Sequence, residues 1–375
     1  MRLLYLGGAK SWHNQKWLEF YVEAGHDVHL LSRSSDRISV KHDVRLHDGI
    51  HVNYVEEITD IRGLRLFLTL PRAARMLKGL IGRLQPHVVH AHGLRHYGLW
   101  GALSGFHPYV VTPIGTDAII YARTHFLDKN AAKLIYKRCD VITGDSEILL
   151  ESAIDLGVER SKCHLIQNGV DRRMFHPNVD RSFLRQHLSL PTQAKIVLSP
   201  RALTKIYNID VIIRSIPLVL KAEAAAHFVF FYAFGREYEH ELVGLAYKLG
   251  VSRSVTFLGY VPYDQMPLYA AGADIAVSVP SSDSSPRSVY EAMAVGTPCI
   301  LSDIPWTKTH IVHRKNALVV PQRDEEAVAH AVVELLNGAR LRETVVVNAM
   351  HLVETHMDYE VNMKKMEQIY TRFAS

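Results

Sequence analysis

The chain has 375 residues, 48% of them hydrophobic and 22% charged, with a net charge of +5. This composition is typical of a folded globular protein and excludes a disordered or fibrous chain. The length predicts two domains, each large enough to bury its own core. The three cysteines, Cys139, Cys163 and Cys299, share no metal-ligand spacing. They favour neither a disulfide framework nor a zinc site, and they indicate a cytoplasmic protein.

Apolar runs alternate with longer amphipathic segments from the N-terminus onward. "RLLYLG" has the pattern of a buried strand, "NQKWLEFYVEAG" that of a helix and "HDVHLLS" that of the next strand. Further strands follow at "PHVVHAHG", "PYVVTPIG", "CDVITGDS" and "CHLIQNGV". "MRLLYLGGAK" lacks the apolar region of a signal peptide, and no window of about 18 apolar residues predicts a transmembrane helix. The repetition predicts a parallel, doubly wound α/β sheet.

The strand pattern restarts at "AKIVLSPR", after the Pro-containing connection "FHPNVDRSFLRQHLSLPTQ". We therefore expect two Rossmann-like domains, residues 1–178 and 191–357, facing a central cleft. Ligands of such sheets bind at the carboxyl ends of the strands. No GxGxxG motif opens a helix after a strand and no P-loop is present, which disfavours a dehydrogenase or an ATPase.

The first candidate site residues follow the strand in "LSPRALTK". Arg201 and Lys205 would project from the loop after this strand. A forked guanidinium and a point ammonium there can together neutralise a diphosphate. The alternative is that both are solvated charges on a loop.

The second candidate segment is "SSDSSPRSVYEAMAVGTP", predicted to contain a helix with Ser285 as its N-cap and Gly296 as its end. Asp283 precedes this helix, and Glu291 lies about 9 Å along it from the cap. The two acids are too far apart for a catalytic dyad, but they can bracket a ligand with hydroxyls at both ends and an anion between them. Backbone N–H groups at the helix start favour the anion, and a nucleotide sugar fits this description. The predicted donor-binding residues of this segment are Asp283, Ser284, Ser285, Arg287, Ser288 and Glu291.

Several motifs, in this order, resemble retaining glycosyltransferases of family 4 with the GT-B fold: "IQNGVD" before Phe175, "LSPR…K", "FLGYVP" before "ADIAVSVPS", and "YEAMAVGTP". The resemblance implies transfer of a sugar from a UDP- or GDP-sugar to a hydroxyl acceptor, without a metal ion. It implies that Arg201 and Lys205 bind the donor diphosphate. It further implies that Glu291 binds the ribose and that Asp283 contacts the donor sugar. The segment from about residue 358 to 375 resembles the family's last helix, which returns to the N-terminal domain.

The sequence departs from the family pattern at three places. The first acid is Asp283 where the family usually has Glu, and three residues separate Arg201 from Lys205 where many members have five. Ile114 stands about where many members carry a His that meets the donor sugar. We predict that Asp117, in the same loop, replaces that contact as a catalytic residue; the alternative is a helix-capping Asp.

Further contacts are expected from other strand ends. Two glycines end the first strand, and Gly8 could allow close backbone approach to the donor. His13 is a candidate for contact with the acceptor or a phosphate; the alternative is a structural His. His90 and His92 alternate along a strand end and are expected on opposite faces, with His92 lining the cleft as an acceptor contact. Tyr260 could stack on the base or, alternatively, be a core tyrosine.

The N-terminal half carries the excess charge. Residues 1–190 hold 25 Lys and Arg against 19 Asp and Glu, whereas residues 191–375 hold 18 against 19. Between Pro71 and Leu84 a helical wheel separates an apolar face (Met76, Leu77, Leu80, Ile81, Leu84) from a basic face (Arg72, Arg75, Lys78, Arg83). The basic region from Arg62 to Arg83 could bind an anionic membrane surface or a lipid pyrophosphate, placing the protein on the inner face of a membrane. The alternative is a solvated face.

A nucleic-acid partner is not expected, because the basic region lacks interleaved aromatics. The predicted acceptor is a lipid-linked or growing surface glycan. Two other functions stay open, a nucleotide-sugar epimerase of the same architecture and a catalytically silent nucleotide-sugar-binding subunit.

Overall fold

The structure, a computed structural model, describes residues 1–36, 46–55, 64–115, 118, 126–232 and 236–374. The chain divides into two compact units: Met1–Asn168 with Val361–Ser375, and Gly169–Glu360. The predicted boundary lies between residues 178 and 191. The helix inside that predicted connection packs with the second unit, because Leu184 is buried against Ile196 and Leu198.

The first unit is built on a parallel sheet with the strand order β3-β2-β1-β4-β5-β6-β7. Its strands are β1 Arg2–Leu6, β2 Asp27–Arg33, β3 Ile50–Val55, β4 Val88–His92, β5 Tyr109–Thr112, β6 Val141–Gly144 and β7 Cys163–Leu165. Its helices are α1 Trp12–Glu23, α2 Leu64–Leu84, α3 Leu99–Ser104, α4 Phe126–Arg138 and α5 Glu147–Ile154. A π-helical turn, Leu94–Gly98, precedes α3.

Helices cover both faces of this sheet, so side chains on both faces of β1 are buried. Leu4 and Leu6 join the core that α2 and α3 complete, whereas Tyr5 lies on the other face near Trp17 of α1. The direction of strand order reverses between β1 and β4, where Leu3 pairs with Val28 on one side and Val88 on the other. In open parallel sheets this reversal marks the place where ligands bind.

The second unit repeats the plan with the strand order β10-β9-β8-β11-β12-β13. Its strands are β8 Lys195–Ser199, β9 Ala226–Phe231, β10 Val255–Gly259, β11 Ile275–Ser278, β12 Cys299–Ser302 and β13 Leu318–Val320. Its helices are α6 Phe183–His187, α7 Ile209–Ala222, α8 Arg236–Lys248, α9 Met266–Ala271, α10 Arg287–Ala294, α11 Thr307–His310, α12 Glu325–Asn337 and α13 Ala339–His356.

Successive residues of β8 face opposite sides of this second sheet, and both sides are buried. Val197 belongs to the core beneath α7 and α12, while Ile196 and Leu198 belong to the core beneath α6 and α9. A strand buried on both faces has a continuous apolar sequence, which is why "KIVLS" shows no alternation. Here the order reverses between β8 and β11, with Ile275 paired to Val197.

The last helix, α14 Tyr359–Ala374, packs on the first unit over most of its length. Tyr370 is buried against Tyr21, and its hydroxyl hydrogen-bonds His90. Glu367 lies 2.7 Å from His26 Nε2. The C-terminal segment is therefore part of the first unit's core although it follows the second unit in the chain.

Helix α2 presents the basic face that the sequence predicts. Among its described side chains, Arg72, Arg75, Lys78 and Arg83 are exposed. The predicted apolar face is wrong at Met76, which is 39% exposed, because Ala73 takes the buried position with Leu77 and Leu80. In the described ranges no helix combines the length and apolar character that crossing a membrane requires.

Candidate functional site

In the second unit, the loops that follow β8 and β11 meet where the strand order reverses. Arg201 lies two residues after β8 and Asp283 five residues after β11. Arg201 Nη2 lies 2.5 Å from Asp283 Oδ2. The fold thus joins two predicted site residues that are far apart in the chain, at the edge where ligands of such sheets bind.

The Arg201 guanidinium is held from several sides. Its side chain is 8% exposed, its Nη1 donates to Ser288 Oγ at 3.3 Å, and it lies over the Tyr207 ring at 4.1 Å from the centroid. Its Nε is buried and has no hydrogen-bond partner among the described residues. A planar cation with unused N–H donors, fixed by stacking and an ion pair, can bind an anion with two or more oxygens.

Asp283 uses both carboxylate oxygens within the site. Oδ2 is paired with Arg201, and Oδ1 accepts a hydrogen bond from the backbone N–H of Ser284 at 2.8 Å. Its side chain is 15% exposed. An anion that binds Arg201 must therefore share the guanidinium with Asp283 or displace it.

Lys205 begins a single 3₁₀ turn, Lys205–Tyr207, and is exposed. Its Nζ lies 5.8 Å from the centre of the Tyr238 ring. No described contact joins it to Arg201 or Asp283. The structure therefore places Arg201 inside the candidate site and Lys205 at its solvent side.

Helix α10 carries Glu291 and begins one residue later than predicted. Pro286 is its N-cap, with φ −73° and ψ 100°, so the prediction of Ser285 as the cap is wrong. The extended backbone of Pro286 delays the first helical turn until Arg287. The predicted helix end is confirmed, since Gly296 follows the last turn with a left-handed φ of +79°.

The Glu291 carboxylate is buried, with 5% of the side chain exposed. Its Oε1 accepts a hydrogen bond from the Tyr263 hydroxyl at 2.6 Å and lies 3.0 Å from Arg287 Nε. Arg287 is a predicted site residue, whereas Tyr263 is not. Tyr263 follows "GYVP" in the loop after β10, and only its position after a strand could have indicated it.

The remaining predicted residues of this unit surround the same edge. Tyr260 directly follows β10 and is 53% exposed, which rules out the core-tyrosine alternative. Ser284, Ser285 and Ser288 are half-buried between Asp283 and the first turn of α10.

In the first unit, Gly7 and Gly8 follow β1 at the reversal point. A Cβ at Gly7 would lie 2.6 Å from Asn14 Nδ2, and a Cβ at Gly8 would lie 3.2 Å from Asp36 Oδ2. Asn14 also donates to the Gly8 carbonyl at 3.0 Å. Protein side chains therefore occupy the space beside both glycines. At position 7 the contact with Asn14 would be too close for any Cβ, which explains why this residue is a glycine.

His90 and His92 lie on the same face of β4, and the prediction of opposite faces is wrong. Residues two positions apart in a strand share a face, and the two rings lie 4.7 Å apart between centroids. His92 is buried and hydrogen-bonds the Tyr5 hydroxyl. His90 Nε2 lies 2.7 Å from Thr112 Oγ1.

Burial keeps both rings neutral. Desolvation lowers the pKa of His90 to about 3. It also lowers the pKa of His92 well below the usual value, with smaller contributions from His90 and His13. His13, near the start of α1, is exposed. Of the two predicted acceptor contacts, His13 therefore offers the accessible ring and His92 a buried one.

Two predictions fall on residues that the structure does not describe. Asp117, predicted as a catalytic residue, lies outside the described residues, and so does Arg62 of the basic region. Ile114, at the position of the family His, is described and exposed.

Comparisons with known proteins identify the family. A model described as "Glycosyl transferase 4-like" matches residues 2–146, and one described as "Glycosyl transferases group 1" matches residues 180–351. The first match spans β1 to β6, and the second spans β8 to β13. The chain belongs to the family 4 glycosyltransferases with the GT-B fold.

Individual relatives agree with this assignment. The chain is 24% identical to an uncharacterised glycosyltransferase of Methanocaldococcus jannaschii over 97% of this chain and 94% of that protein. A GDP-mannose-dependent alpha-(1-6)-phosphatidylinositol monomannoside mannosyltransferase of Mycobacterium tuberculosis is 30% identical over 45% of each chain. The solved structure of Anabaena HepE in complex with UDP and glucose superposes with a TM-score of 0.79 at 16% identity, covering 99% of this chain and 100% of that chain.

The glycosyltransferase is therefore an enzyme of the transferase class. The group 1 match contains the contacts around Arg201 and Glu291, and the 4-like match contains Gly8, His13 and His92. Where the strand order of the second unit reverses, between β8 and β11, the glycosyltransferase can bind an anion at Arg201 and hydroxyl groups at Asp283 and Glu291.

Proposed function

We propose that this glycosyltransferase transfers a sugar from a UDP- or GDP-sugar to a hydroxyl acceptor with retention of the anomeric configuration. The observation that carries the proposal is the buried Arg201 guanidinium, which is fixed at the strand-order reversal and keeps an unused Nε donor. Asp283 and Glu291, on either side of the start of α10, supply acceptors for hydroxyl groups. The solved HepE complex with UDP and glucose supports a nucleotide-sugar donor.

The proposed chemistry needs charge stabilisation at the leaving group. The acceptor hydroxyl oxygen forms a bond to the anomeric carbon while the bond from that carbon to the diphosphate breaks. The electron pair of the broken bond stays on the diphosphate oxygen, where Arg201 neutralises the developing charge, and the proton released by the hydroxyl passes to the departing diphosphate. Lys205, on the solvent-exposed side of the site, would add a second positive charge that helps to neutralise the leaving diphosphate. We propose that these cations and the N-terminus of α10 act without a metal ion.

Binding of the diphosphate would also release Asp283. Because the ion pair at 2.5 Å joins the two groups, the diphosphate replaces the carboxylate as the partner of Arg201. The freed carboxylate of Asp283 then accepts hydrogen bonds from the donor sugar. Tyr260, exposed after β10, would stack on the base.

We propose a lipid-linked or surface-glycan acceptor and a position on the cytoplasmic face of a membrane. The exposed basic residues of α2 support this, since a row of Arg and Lys attracts anionic lipid headgroups. A relative that acts on a phosphatidylinositol monomannoside gives further support.

Vesicle sedimentation tests the membrane proposal. We expect the protein to sediment with vesicles containing 30% phosphatidylserine at low salt, and Arg72→Glu with Arg75→Glu to reduce the bound fraction at least tenfold, since each basic residue near an anionic surface contributes about 1 kcal/mol. Lys248→Glu with Arg253→Glu, on the exposed surface of the second unit, is the control. An equal loss of vesicle binding in both double variants, or no vesicle binding by the wild type, would contradict the proposal.

Product analysis tests the catalytic proposal. The enzyme is incubated with UDP- and GDP-sugars and a lipid-linked acceptor, and the anomeric configuration of the product is read by NMR. Transfer with retention of the anomeric configuration supports the proposal, and transfer with inversion refutes the proposed stereochemistry. Conversion of the nucleotide sugar without acceptor would indicate the epimerase. Binding without any turnover would indicate the silent subunit.

A further inference from the structure

Tyr263 and Arg287 contact the same oxygen of Glu291. The Tyr263 hydroxyl donates to Oε1 at 2.6 Å, and Arg287 Nε lies 3.0 Å from that atom. Among the described residues, no side chain or backbone N–H donates a hydrogen bond to Oε2, while Oε1 accepts one. One oxygen of this buried carboxylate is thus committed to the protein, and the other keeps its lone pairs for a further donor.

The Tyr263 ring is itself held in place. It packs against the buried ring of Phe175, with centroids 5.7 Å apart, and the Arg287 guanidinium lies over it at 5.1 Å. The hydroxyl therefore has a fixed position from which it can orient Glu291. A glutamate side chain without such a bond would retain rotation about its terminal torsion, since that torsion is broad.

We propose that Tyr263 is the positioning residue that directs Glu291 Oε2 toward a ribose hydroxyl of the nucleotide, and so makes the enzyme select ribonucleotides over deoxyribonucleotides. The inference rests on the proposed role of Glu291 as the ribose anchor. Holding the carboxylate in its bound orientation before binding removes the entropy cost of ordering it. Arg287 keeps the carboxylate in the site, and Tyr263 sets its direction.

Calorimetric titration with UDP, GDP and their 2′-deoxy and 3′-deoxy analogues tests this. The wild type should bind the ribonucleotide at least about tenfold more tightly than one of its deoxy analogues, as expected for a hydrogen bond to a charged group. Tyr263→Phe keeps the ring contacts and removes only the hydroxyl. The ratio of the affinity for the ribonucleotide to the affinity for that deoxy analogue should fall to about threefold or less in this variant. The affinity for the deoxy analogue itself should not change. Tyr247→Phe, an exposed tyrosine on α8, is the matched control and should behave as the wild type.

The outcomes separate the inference from the function on which it rests. If Tyr263→Phe weakens the binding of the ribonucleotide and of both analogues equally, or leaves the affinity ratio at its wild-type value, the positioning role is refuted. Glu291→Gln should reduce the ratio at least as much as Tyr263→Phe does. If the wild type does not distinguish the analogues and Glu291→Gln changes nothing, the ribose assignment of Glu291 is wrong, and the inference is refuted with it.

Discussion

Asp283→Asn is the substitution that most sharply tests the exchange of partners at Arg201. It removes the carboxylate charge and keeps the shape of the side chain. Removing one partner of a buried ion pair costs about 3 to 5 kcal/mol. Asp283 is 15% exposed and the amide can still accept one hydrogen bond from Arg201, so we expect a loss of stability below that range, about 2 kcal/mol. For a unit of this size that corresponds to a melting temperature lower by roughly 4–8 °C.

The diagnostic result is the response to nucleotide. A nucleoside diphosphate must displace the carboxylate of Asp283 in the wild type, whereas in Asp283→Asn it meets a guanidinium that has lost its ion-pair partner and keeps only the weaker hydrogen bond to the amide. The variant should therefore bind UDP or GDP more tightly, by up to about thirtyfold for a 2 kcal/mol difference. The free diphosphate is the right probe, because it lacks the sugar that Asp283 is proposed to contact.

Differential scanning fluorimetry with and without UDP or GDP measures both effects. The gap in melting temperature between wild type and Asp283→Asn should narrow as the nucleotide concentration rises. Asp303→Asn, which removes an exposed ion pair with Lys308, is the control and should change neither quantity appreciably. A gap that stays constant or widens would refute the exchange of partners.

Four further substitutions have defined outcomes. Arg201→Ala should lower kcat for sugar transfer by about 100-fold or more, and Lys205→Ala by much less; steady-state kinetics with equal effects would contradict the placement of Lys205 at the solvent side. Because His90 is held neutral with a pKa of about 3, the unfolded state binds more protons below the ordinary pKa of about 6.5. The free energy of unfolding should therefore fall as pH drops from about 6.5 toward 3, by about 1.4 kcal/mol per pH unit for this one ring. Urea unfolding at pH 6.5 and 5 should show a smaller fall in His90→Gln, and an identical fall would count against the buried neutral ring. Tyr260→Ala should raise KM for the donor several-fold with little change in kcat, whereas a fall in kcat alone would refute base stacking.

The sequence predicts the fold because the fold depends on local patterns. Continuous apolar runs such as "KIVLS", separated by amphipathic helices, require buried parallel strands, and ligand contacts then follow strand ends. Arg201, Asp283 and Glu291 could be located in this way without knowledge of the neighbouring strands.

The pairing between these residues could not be predicted, because it depends on strand order. Arg201 meets Asp283 across 82 positions only because β8 lies beside β11. Tyr263 reaches Glu291 from the loop after β10. Met76 shows the same limit in α2, since a helical wheel gives the faces but not the width of the surface that the neighbours cover.

The error at His90 and His92 has a different cause, since the two-residue period of a strand already places them on one face. The burial of these rings could not be predicted from the sequence, because it depends on the contact of His90 with Tyr370, which lies 280 positions later in the chain.

The most direct test of a nucleotide-sugar donor bound at Arg201 is a thermal-shift screen of UDP- and GDP-sugars against wild type and Arg201→Ala. A cognate donor at about 100 times its Kd should stabilise the wild type by roughly 2.7 kcal/mol, and this stabilisation should be lost in Arg201→Ala. If no nucleotide or nucleotide sugar raises the melting temperature of the wild type, or if Arg201→Ala responds as strongly as the wild type, the proposed donor site is wrong.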